Sequence, residues 1–282
     1  MKTYLITGCN GQLGHALNEL LAGNTDIIVK NTDVADLDIC DLDAVCAMTA
    51  EVKPDVIINC AAHTAVDRCE TDKDNAYNIN ANGAKNLAIA AEKNGASIVQ
   101  VSTDYVFDGD SEKPYYEEDA VNPQSVYGST KLAGEEEVAK ATDRYYIVRT
   151  AWLYGEGKNF VRTMLNLAKT NDRITVVNDQ FGSPTSALEL ARAILYILEK
   201  GEYGIYHATC EGVTSWYEFA CRIFKEAGVE IEVAPVSSEE YKAAAKRPKY
   251  SVLEDAHLKR IGYTMKNWEE ALIEYLEKEV IM

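Results

Sequence analysis

Hydrophobic residues in the first half of the chain form short continuous runs, separated by longer stretches of mixed character. Continuous apolar runs are typical of strands that are covered on both faces of a sheet. The runs are TYLIT (3–7), DIIV (26–29), DVIIN (55–59), SIVQVS (97–102) and YYIVR (145–149). The intervening stretches predict helices at 11–22, 42–51, 75–95 and 125–141. This alternation predicts right-handed crossovers and a doubly wound, parallel α/β sheet.

The pattern changes after Arg149. Capping-box spacings at Ser186/Glu189 and Ser215/Glu218 predict two helix starts, and the second helix ends at Gly228. Further helices are predicted at 158–170 and 267–280, with short strands at 174–177 and 231–236. We therefore predict a first domain over residues 1–150 with a return near 173–209. A smaller, mostly helical region is predicted from 151–172 and 210–282.

Charge and composition narrow the range of partners. The formal net charge is −17, which argues against nucleic acid because phosphate backbones require a basic face. No apolar run reaches the length of a membrane span, and the opening MKTYLITG is too short for a secretory signal. We predict a cytoplasmic protein that engages neither nucleic acid nor membrane. An anionic small molecule remains compatible with the charge, since a few local amides or cations can hold it.

Cysteine and histidine positions give no indication of a metal site. The seven cysteines are scattered without a C-x-x-C pair, and none of the four histidines accompanies a cysteine cluster. Reduced structural thiols are expected. No metal ligand is predicted, and the sequence leaves open whether a metal is required.

A glycine-rich loop follows the first predicted strand. Gly8, Gly11 and Gly14 are spaced G-x-x-G-x-x-G and lead directly into a helix. Glycines there allow backbone amides, such as those of Gln12 and Leu13, to approach a pyrophosphate at the helix N-terminus. A ligand-free turn is the alternative, but the strand before and the helix after favour a dinucleotide site.

Asp33 stands at the end of the second predicted strand. A carboxylate there accepts hydrogen bonds from ribose hydroxyls and repels a 2′-phosphate. This favours NADH as the cofactor, while the nearby Lys30 keeps NADPH open.

Tyr127 and Lys131 lie four residues apart, so they share one face of the predicted helix. Reduction of a carbonyl by hydride leaves an alkoxide that needs a proton, and a phenol can supply it. We expect the lysine ammonium to lower the pKa of the phenol by favouring the phenolate. An exposed surface pair is the alternative reading, and the glycine loop favours the catalytic one.

These segments together resemble the extended short-chain dehydrogenase/reductase superfamily, in TGCNGQLG (7–14), NCAAHT (59–64), the Ser/Thr after the fourth strand and YGSTK (127–131). Six further segments are similar to those of the dTDP-4-dehydrorhamnose reductase family. They are LDICD (37–41), AAHTAVDRCE (61–70), STDYVFDG (102–109), RTAWLYG (149–155), DQFGSPT (179–185) and RPKYSVL (247–253). The resemblance implies a Rossmann-type fold and hydride transfer from NAD(P)H to C4 of dTDP-6-deoxy-L-lyxo-4-hexulose (dTDP-4-dehydrorhamnose). The product would be dTDP-L-rhamnose, a precursor of cell-wall polysaccharide.

The resemblance also implies residue roles. Thr103 would hydrogen-bond the keto oxygen, and Tyr127 would donate the proton. Lys131 would tune the pKa of Tyr127, and both residues would contact the cofactor. The other implied cofactor contacts are Gly8, Gly11, Gln12, Leu13, Gly14, Asp33, Asp38, Ile39, Ala62, His63 and Thr64. The implied contacts to the dTDP-sugar are Thr103, Asp104, Tyr105 and Trp152, with Asn159 and Arg247 as candidates for its pyrophosphate. A monomer and a homodimer are both compatible.

Two alternatives remain open. The first is another enzyme of the same fold that acts on sugar nucleotides: a short-chain reductase, an epimerase or a dehydratase. A dehydratase typically carries Thr-Asp-Glu where this chain has Thr103, Asp104 and Tyr105. A phenol replaces a carboxylic acid poorly at neutral pH. A non-catalytic NADP-binding protein, like the regulatory subunit of methionine adenosyltransferase, is the second alternative. The intact threonine, tyrosine and lysine argue against it.

Overall fold

A computed structural model describes residues 1–281, which are built around a parallel sheet with helices on both faces. The strands are β1 (Lys2–Thr7), β2 (Ile27–Thr32), β3 (Val56–Asn59), β4 (Ser97–Thr103), β5 (Tyr145–Thr150), β6 (Leu153–Tyr154), β7 (Arg173–Val177), β8 (Phe181–Gly182), β9 (Thr185–Ser186), β10 (Gly204–His207), β11 (Thr214–Ser215) and β12 (Glu232–Val236). Six of them form the main sheet in the order β2-β1-β3-β4-β5-β10. The predicted parallel α/β sheet is therefore confirmed.

Helices cover both faces of this sheet and continue into the C-terminal region. They are α1 (Gln12–Leu21), α2 (Leu42–Val52), α3 (Val66–Cys69), α4 (Lys73–Tyr77), α5 (Ala84–Asn94), α6 (Val126–Ala141), α7 (Phe160–Ala168), α8 (Ala187–Lys200), α9 (Trp216–Glu226), α10 (Ser238–Tyr241), α11 (Ala256–Arg260) and α12 (Trp268–Ile281). A π-helical turn, Asn78–Gly83, joins α4 to α5, and a 3₁₀ turn, Asp104–Val106, follows β4. Within residues 1–281, no helix combines the length and the apolar character that crossing a bilayer requires.

Successive residues of the central strands serve different cores, which explains why their hydrophobic runs are continuous. Leu5 and Ile57 pack with one helical layer, in a cluster that includes Leu87 of α5. Ile6 and Ile58, one position along each strand, pack on the opposite face with Leu17 of α1 and Leu190 of α8. Because both faces of the sheet are buried under helices, most polar residues of these strands lie near the strand ends.

The C-terminal half contributes to the main sheet less than expected. Strand β7 pairs with β12 in a separate parallel ladder, so residues 173–177 lie outside the main sheet. The return to the first domain consists of α8, which contacts α1, and of β10, which pairs with β5. The predicted return near 173–209 therefore begins too early, because the apolar run at 174–177 finds its partner strand further along the chain.

Helix α6 lies unusually close to two backbone segments, and glycines make this approach possible. A Cβ on Gly128 would lie 2.2 Å from the carbonyl oxygen of Tyr105, and one on Gly134 would lie 2.2 Å from that of Asn80. A buried ion pair, Arg149 Nη2 to Glu135 Oε2 at 2.7 Å, ties the same helix to β5. The position of α6 is thus fixed from three sides.

We expect Gly134→Ala to destabilise the protein, although alanine is normally the better helix former by about 1 kcal/mol. The added methyl group cannot fit against the Asn80 carbonyl, and such overpacking costs roughly 1–3 kcal/mol. Guanidinium chloride unfolding measures the loss. The exposed Ala139→Ser on the same helix is the control and should change stability by less than about 0.5 kcal/mol. A stabilised Gly134→Ala protein would contradict this packing.

Candidate active site

The predicted catalytic residues converge at the carboxyl end of β4. Thr103 ends this strand and caps the following 3₁₀ turn, with its hydroxyl accepting the Tyr105 N–H at 3.2 Å. Tyr127 lies in the first turn of α6, whose N-terminus is capped by Ser125. The Thr103 hydroxyl also hydrogen-bonds the Tyr127 phenol. Two segments more than twenty residues apart thus deliver their side chains to one point.

Lys131 follows Tyr127 by four residues on α6, and its side chain is buried, with 3% exposed. Its Nζ donates a 2.6 Å hydrogen bond to the carbonyl oxygen of Val101 in β4. Burial lowers the pKa of Lys131 to about 8, and the nearby Glu135 acts in the opposite direction. The ammonium is therefore anchored to the strand that carries Thr103.

The expected lowering of the Tyr127 pKa is wrong for this structure. Burial is the largest influence and raises the pKa of the phenol above its usual range, while the bond to Thr103 opposes it. The spacing of Tyr127 and Lys131 indicates a neighbouring charge but carries no information about desolvation. A raised pKa keeps the phenol protonated at neutral pH, which is the form that a proton donor requires.

Asp104 is an unusual carboxyl group in this site. It is 2% exposed and accepts a 2.8 Å hydrogen bond from the Thr103 hydroxyl at Oδ1, while its Oδ2 is buried without a partner. Burial raises the pKa of Asp104 to about 6, although Ser251 and Thr103 act to lower it. This carboxyl group is therefore able to change its protonation state near neutral pH.

Tyr105 occupies the position at which a dehydratase carries its acid. Its ring meets the Tyr127 ring edge-on, with centroids 5.4 Å apart. Burial and the Asp104 carboxylate raise the pKa of Tyr105 above its usual range. The side chain is a neutral phenol and provides no second carboxylic acid beside Thr103.

A cavity of about 610 Å³ opens where the strand order reverses between β1 and β3, the position at which such sheets bind nucleotides. Six predicted cofactor residues line it: Gly8, Gly11, Asp33, Asp38, Ile39 and Ala62. It is also lined by Asn10, Asn75 and Asn78, which the sequence reasoning missed because an asparagine in a loop carries no distinctive pattern. The cavity has the size and the position of a nucleotide site, and the loop beside it is closely packed, since a Cβ at Gly8 or Gly14 would collide with backbone.

The other predicted cofactor residues do not line this cavity. The Gln12 side chain lines a separate cavity between α1, α8 and α12, and Leu13 is part of the core. Their backbone amides still belong to the first turn of α1, which has no side-chain cap. The prediction for these two residues therefore concerns only their amides.

The loop after β3 is held by the π-helical turn. Asn80 accepts the His63 N–H at 2.8 Å and donates to the His63 carbonyl and to Thr130 Oγ1 of α6. The His63 ring lies between Cys69 Sγ at 3.2 Å and Asp72 at 3.4 Å, while Thr64 is exposed. His63 thus has a structural environment, and Asn80 is a residue that the sequence reasoning missed.

The residues predicted to contact substrate differ in their surroundings. Trp152, with a left-handed φ of 50°, stacks on Trp216 with ring centroids 3.5 Å apart. Arg247 Nη2 pairs with Asp67 Oδ2 at 2.8 Å, and its Nε is buried without a partner.

Asn159 caps α7 and donates to the Gly155 carbonyl. This capping role accounts for Asn159 without a ligand, so the structure does not support it as a pyrophosphate contact.

Comparison with known proteins assigns the family. The model of the RmlD substrate binding domain matches residues 1–281. The chain belongs to this family. Together with the relatives described next, this match confirms the resemblance to dTDP-4-dehydrorhamnose reductases that the sequence indicates.

Individual relatives in the RmlD family cover nearly the whole chain. A spore coat polysaccharide biosynthesis protein SpsK of Bacillus subtilis is 41% identical over 99% of this chain and 98% of its own length. A crystal structure of a dTDP-4-dehydrorhamnose reductase from Clostridium acetobutylicum is 52% identical, with a TM-score of 0.96 over 99% of this chain and 100% of that one. A dTDP-4-dehydrorhamnose reductase from Bacillus anthracis, solved in complex with NADP, is 43% identical, with a TM-score of 0.95 over 98% and 99%.

Glu117, Glu118 and His257 form a group of potential metal ligands within residues 1–281 of this RmlD-family chain. Hydrogen bonds within the protein already engage them. Glu117 Oε1 accepts the His257 N–H at 2.9 Å, and His257 Nε2 contacts Glu118 at 2.6 Å. The group was not predicted from the sequence, because His257 is more than a hundred residues from the glutamates.

The raised pKa of Asp104 predicts a pH-dependent cost in stability. The folded state holds the proton more tightly, so stability is greatest below the unfolded pKa and is lost as pH rises through about 6. We expect the Tm of Asp104→Asn, relative to the wild type, to rise between about pH 5 and about pH 8. Differential scanning calorimetry measures this difference.

Asp108→Asn is the matched control. The bond from Tyr115 lowers the pKa of Asp108, so its stabilising contribution is lost only as pH falls below the usual carboxylate range. Its Tm difference from the wild type should stay constant over the same interval. A constant difference for Asp104→Asn as well would show that Asp104 does not titrate there.

Proposed function

We propose that this protein reduces dTDP-4-dehydrorhamnose to dTDP-L-rhamnose, with NAD(P)H as the hydride source. Membership of the RmlD family and relatives named dTDP-4-dehydrorhamnose reductase support the activity. The observation that carries it is the convergence of Thr103, Tyr127 and Lys131 at the end of β4, beside a cavity that fits a dinucleotide.

The chain's own residues would perform the proton chemistry. A bound nicotinamide nucleotide supplies the hydride that reaches the C4 carbonyl carbon. The Thr103 and Tyr127 hydroxyls polarise the carbonyl oxygen, and Tyr127 gives its proton to the alkoxide as it forms. Lys131, fixed on the Val101 carbonyl, provides positive charge that favours the phenolate left behind. The site is buried, so these interactions act with little competition from water.

The cofactor cavity would be held by backbone and by two carboxylates. Gly8 and Gly11 line this cavity, and the amides of Gln12 and Leu13 at the start of α1 would bind the phosphates. Asp33 Oδ2 accepts the Asn10 N–H at 3.1 Å, which fixes its carboxylate beside the cavity. Asp38 and Ile39 complete the adenosine side. We infer a preference for NADH over NADPH from the fixed charge of Asp33.

The sugar nucleotide would bind on the side of β4 that lies away from the cofactor cavity. Asp104 and Tyr105 lie beside the reacting carbonyl, and the stacked Trp152 offers a flat apolar surface to the nucleoside. Trp216, which stacks on it, extends this surface. Arg247 is our candidate for the pyrophosphate, since its buried Nε has no partner while its Nη2 is held by Asp67.

The phenol at position 105 distinguishes reduction from dehydration. Removal of water from a sugar needs an acid and a base beside the threonine, and Tyr105, a buried neutral phenol, provides neither a carboxylic acid nor a base at neutral pH. Oxidation of NADH by the purified protein, followed by absorbance with the keto-sugar nucleotide present, tests the activity directly. Absence of oxidation with both ligands bound would contradict the proposed function.

Tyr127→Phe should bind both ligands and lose turnover by about 100-fold or more, because the alkoxide has lost its proton donor. Steady-state kcat and calorimetric binding measure the two effects separately. Tyr116→Phe, an exposed tyrosine outside the site, should leave kcat unchanged. A Tyr127→Phe enzyme with wild-type kcat would mean that another group supplies the proton.

Asp33→Asn should shift cofactor preference toward NADPH. Removal of the carboxylate relieves its repulsion of a 2′-phosphate, and we expect the ratio of kcat/KM for NADPH to that for NADH to rise about tenfold. Asp43→Asn, on an exposed position of α2, is the charge-matched control and should leave the ratio unchanged. An unchanged ratio in Asp33→Asn would place the ribose elsewhere.

A further inference from the structure

The single proton of the Thr103 hydroxyl is already engaged in this structure. A hydroxyl has one proton and two lone pairs. The proton goes to Asp104 Oδ1 at 2.8 Å. One lone pair accepts the Tyr105 N–H at 3.2 Å. In this arrangement Thr103 has no proton left for the keto oxygen of a substrate.

A protonated Asp104 reverses the direction of one of these bonds. The carboxylic acid then donates to Thr103 Oγ1, which already accepts from the Tyr105 N–H. Both lone pairs of the threonine are occupied, so its own proton is free to turn toward the substrate.

We propose that Asp104 is a positioning residue that acts through Thr103, and that only its protonated form lets Thr103 and Tyr127 donate together to the keto oxygen. The proposal rests on the proposed function, because the reduction is the reaction that needs both donors. With Asp104 ionised, its carboxylate takes the Thr103 proton, and the carbonyl loses one of its two donors.

The surroundings of Asp104 make both protonation states accessible. Around its carboxyl group lie the hydroxyls of Thr103 and Ser251 and the backbone amides of Asp104 and Tyr105, which favour the ionised form. The phenols of Tyr105 and Tyr127 also face this carboxyl group. The charges of the Arg247–Asp67 ion pair influence the pKa of Tyr105. Burial opposes ionisation and outweighs these hydroxyls and amides, which gives Asp104 its pKa of about 6.

The protons and electrons of the step balance without consuming the Asp104 proton. The carbonyl carbon gains the hydride, and the carbonyl π electrons become a lone pair on oxygen. That oxygen takes the Tyr127 proton, and the resulting phenolate is reprotonated before the next turnover. Thr103 and Asp104 keep their protons throughout, so Asp104 orients a donor and does not relay a proton.

The test is the pH dependence of kcat and kcat/KM in the wild type, Asp104→Asn, Thr103→Val and the double variant, over a range that brackets pH 6. Wild-type activity should fall with rising pH, at a slope of up to about tenfold per unit. The apparent pKa in kcat should exceed that in kcat/KM, because a bound keto oxygen favours the protonated form. Asp104→Asn cannot ionise, so its activity should vary less than about twofold over the range.

The double variant separates positioning from a direct contact with the sugar. If Asp104 acts through Thr103, Asp104→Asn should have little further effect in a Thr103→Val background. An undiminished effect there, or the wild-type pH dependence persisting in Asp104→Asn, would overturn the inference while leaving the reductase activity intact.

An activity-independent readout distinguishes failure of this inference from failure of the proposed function. Infrared titration of the Asp104 carboxyl in the cofactor-loaded protein should move to higher pH in Thr103→Val, since the carboxylate has lost a donor. A titration that stays in place would refute the coupling of the two side chains. A protein that binds both ligands and makes no product at any pH refutes the proposed function, whatever the titration shows.

Discussion

The close seating of α6 is the constraint on which the active site depends. Gly128 lies against the Tyr105 carbonyl and Gly134 against the Asn80 carbonyl, with no room for a side chain at either contact. Tyr127 and Lys131 lie between or beside these two points on the same helix. The first contact brings the phenol to Thr103, and the second keeps the ammonium under β4, where it reaches the Val101 carbonyl. A shift of the helix by one methyl group would separate the donors from the strand.

A network of buried amides holds the sheet edge against which α6 packs. Thr7 donates to Asn59, which donates to Gln100, so polar side chains link β1, β3 and β4 within the interior. Such groups are costly to bury unless they are paired. Buried polar atoms without a partner occur near the ends of β4 and β5, at Ser102, Asp104 and Thr150. These strand ends lie at the carboxyl edge of the sheet, which is where sheets of this kind bind their ligands.

Local patterns were sufficient to predict the first five strands, the glycine loop and the Tyr127/Lys131 pair, since each depends on neighbouring residues. What was missed depends on contacts between distant segments. Strand β10 is a short run that became recognisable only through its pairing with β5. The Asp67–Arg247 pair joins residues 180 positions apart, and Trp216 gains its place only by stacking on Trp152. The direction of the Tyr127 pKa was wrong because desolvation is a property of the folded interior, not of the spacing.

Tyr105 connects the geometry of the site to the chemistry that it supports. Its backbone N–H fixes Thr103, its carbonyl receives Gly128, and its ring packs edge-on against Tyr127. A glutamate at this position could keep the backbone contacts but would place a second carboxylate beside Asp104, and each would alter the ionisation of the other. A neutral phenol leaves Asp104 to titrate under the control of burial and two hydroxyls. Tyrosine at position 105 therefore leaves the site without the acid that dehydration needs. It also allows Asp104 to control the orientation of the Thr103 proton.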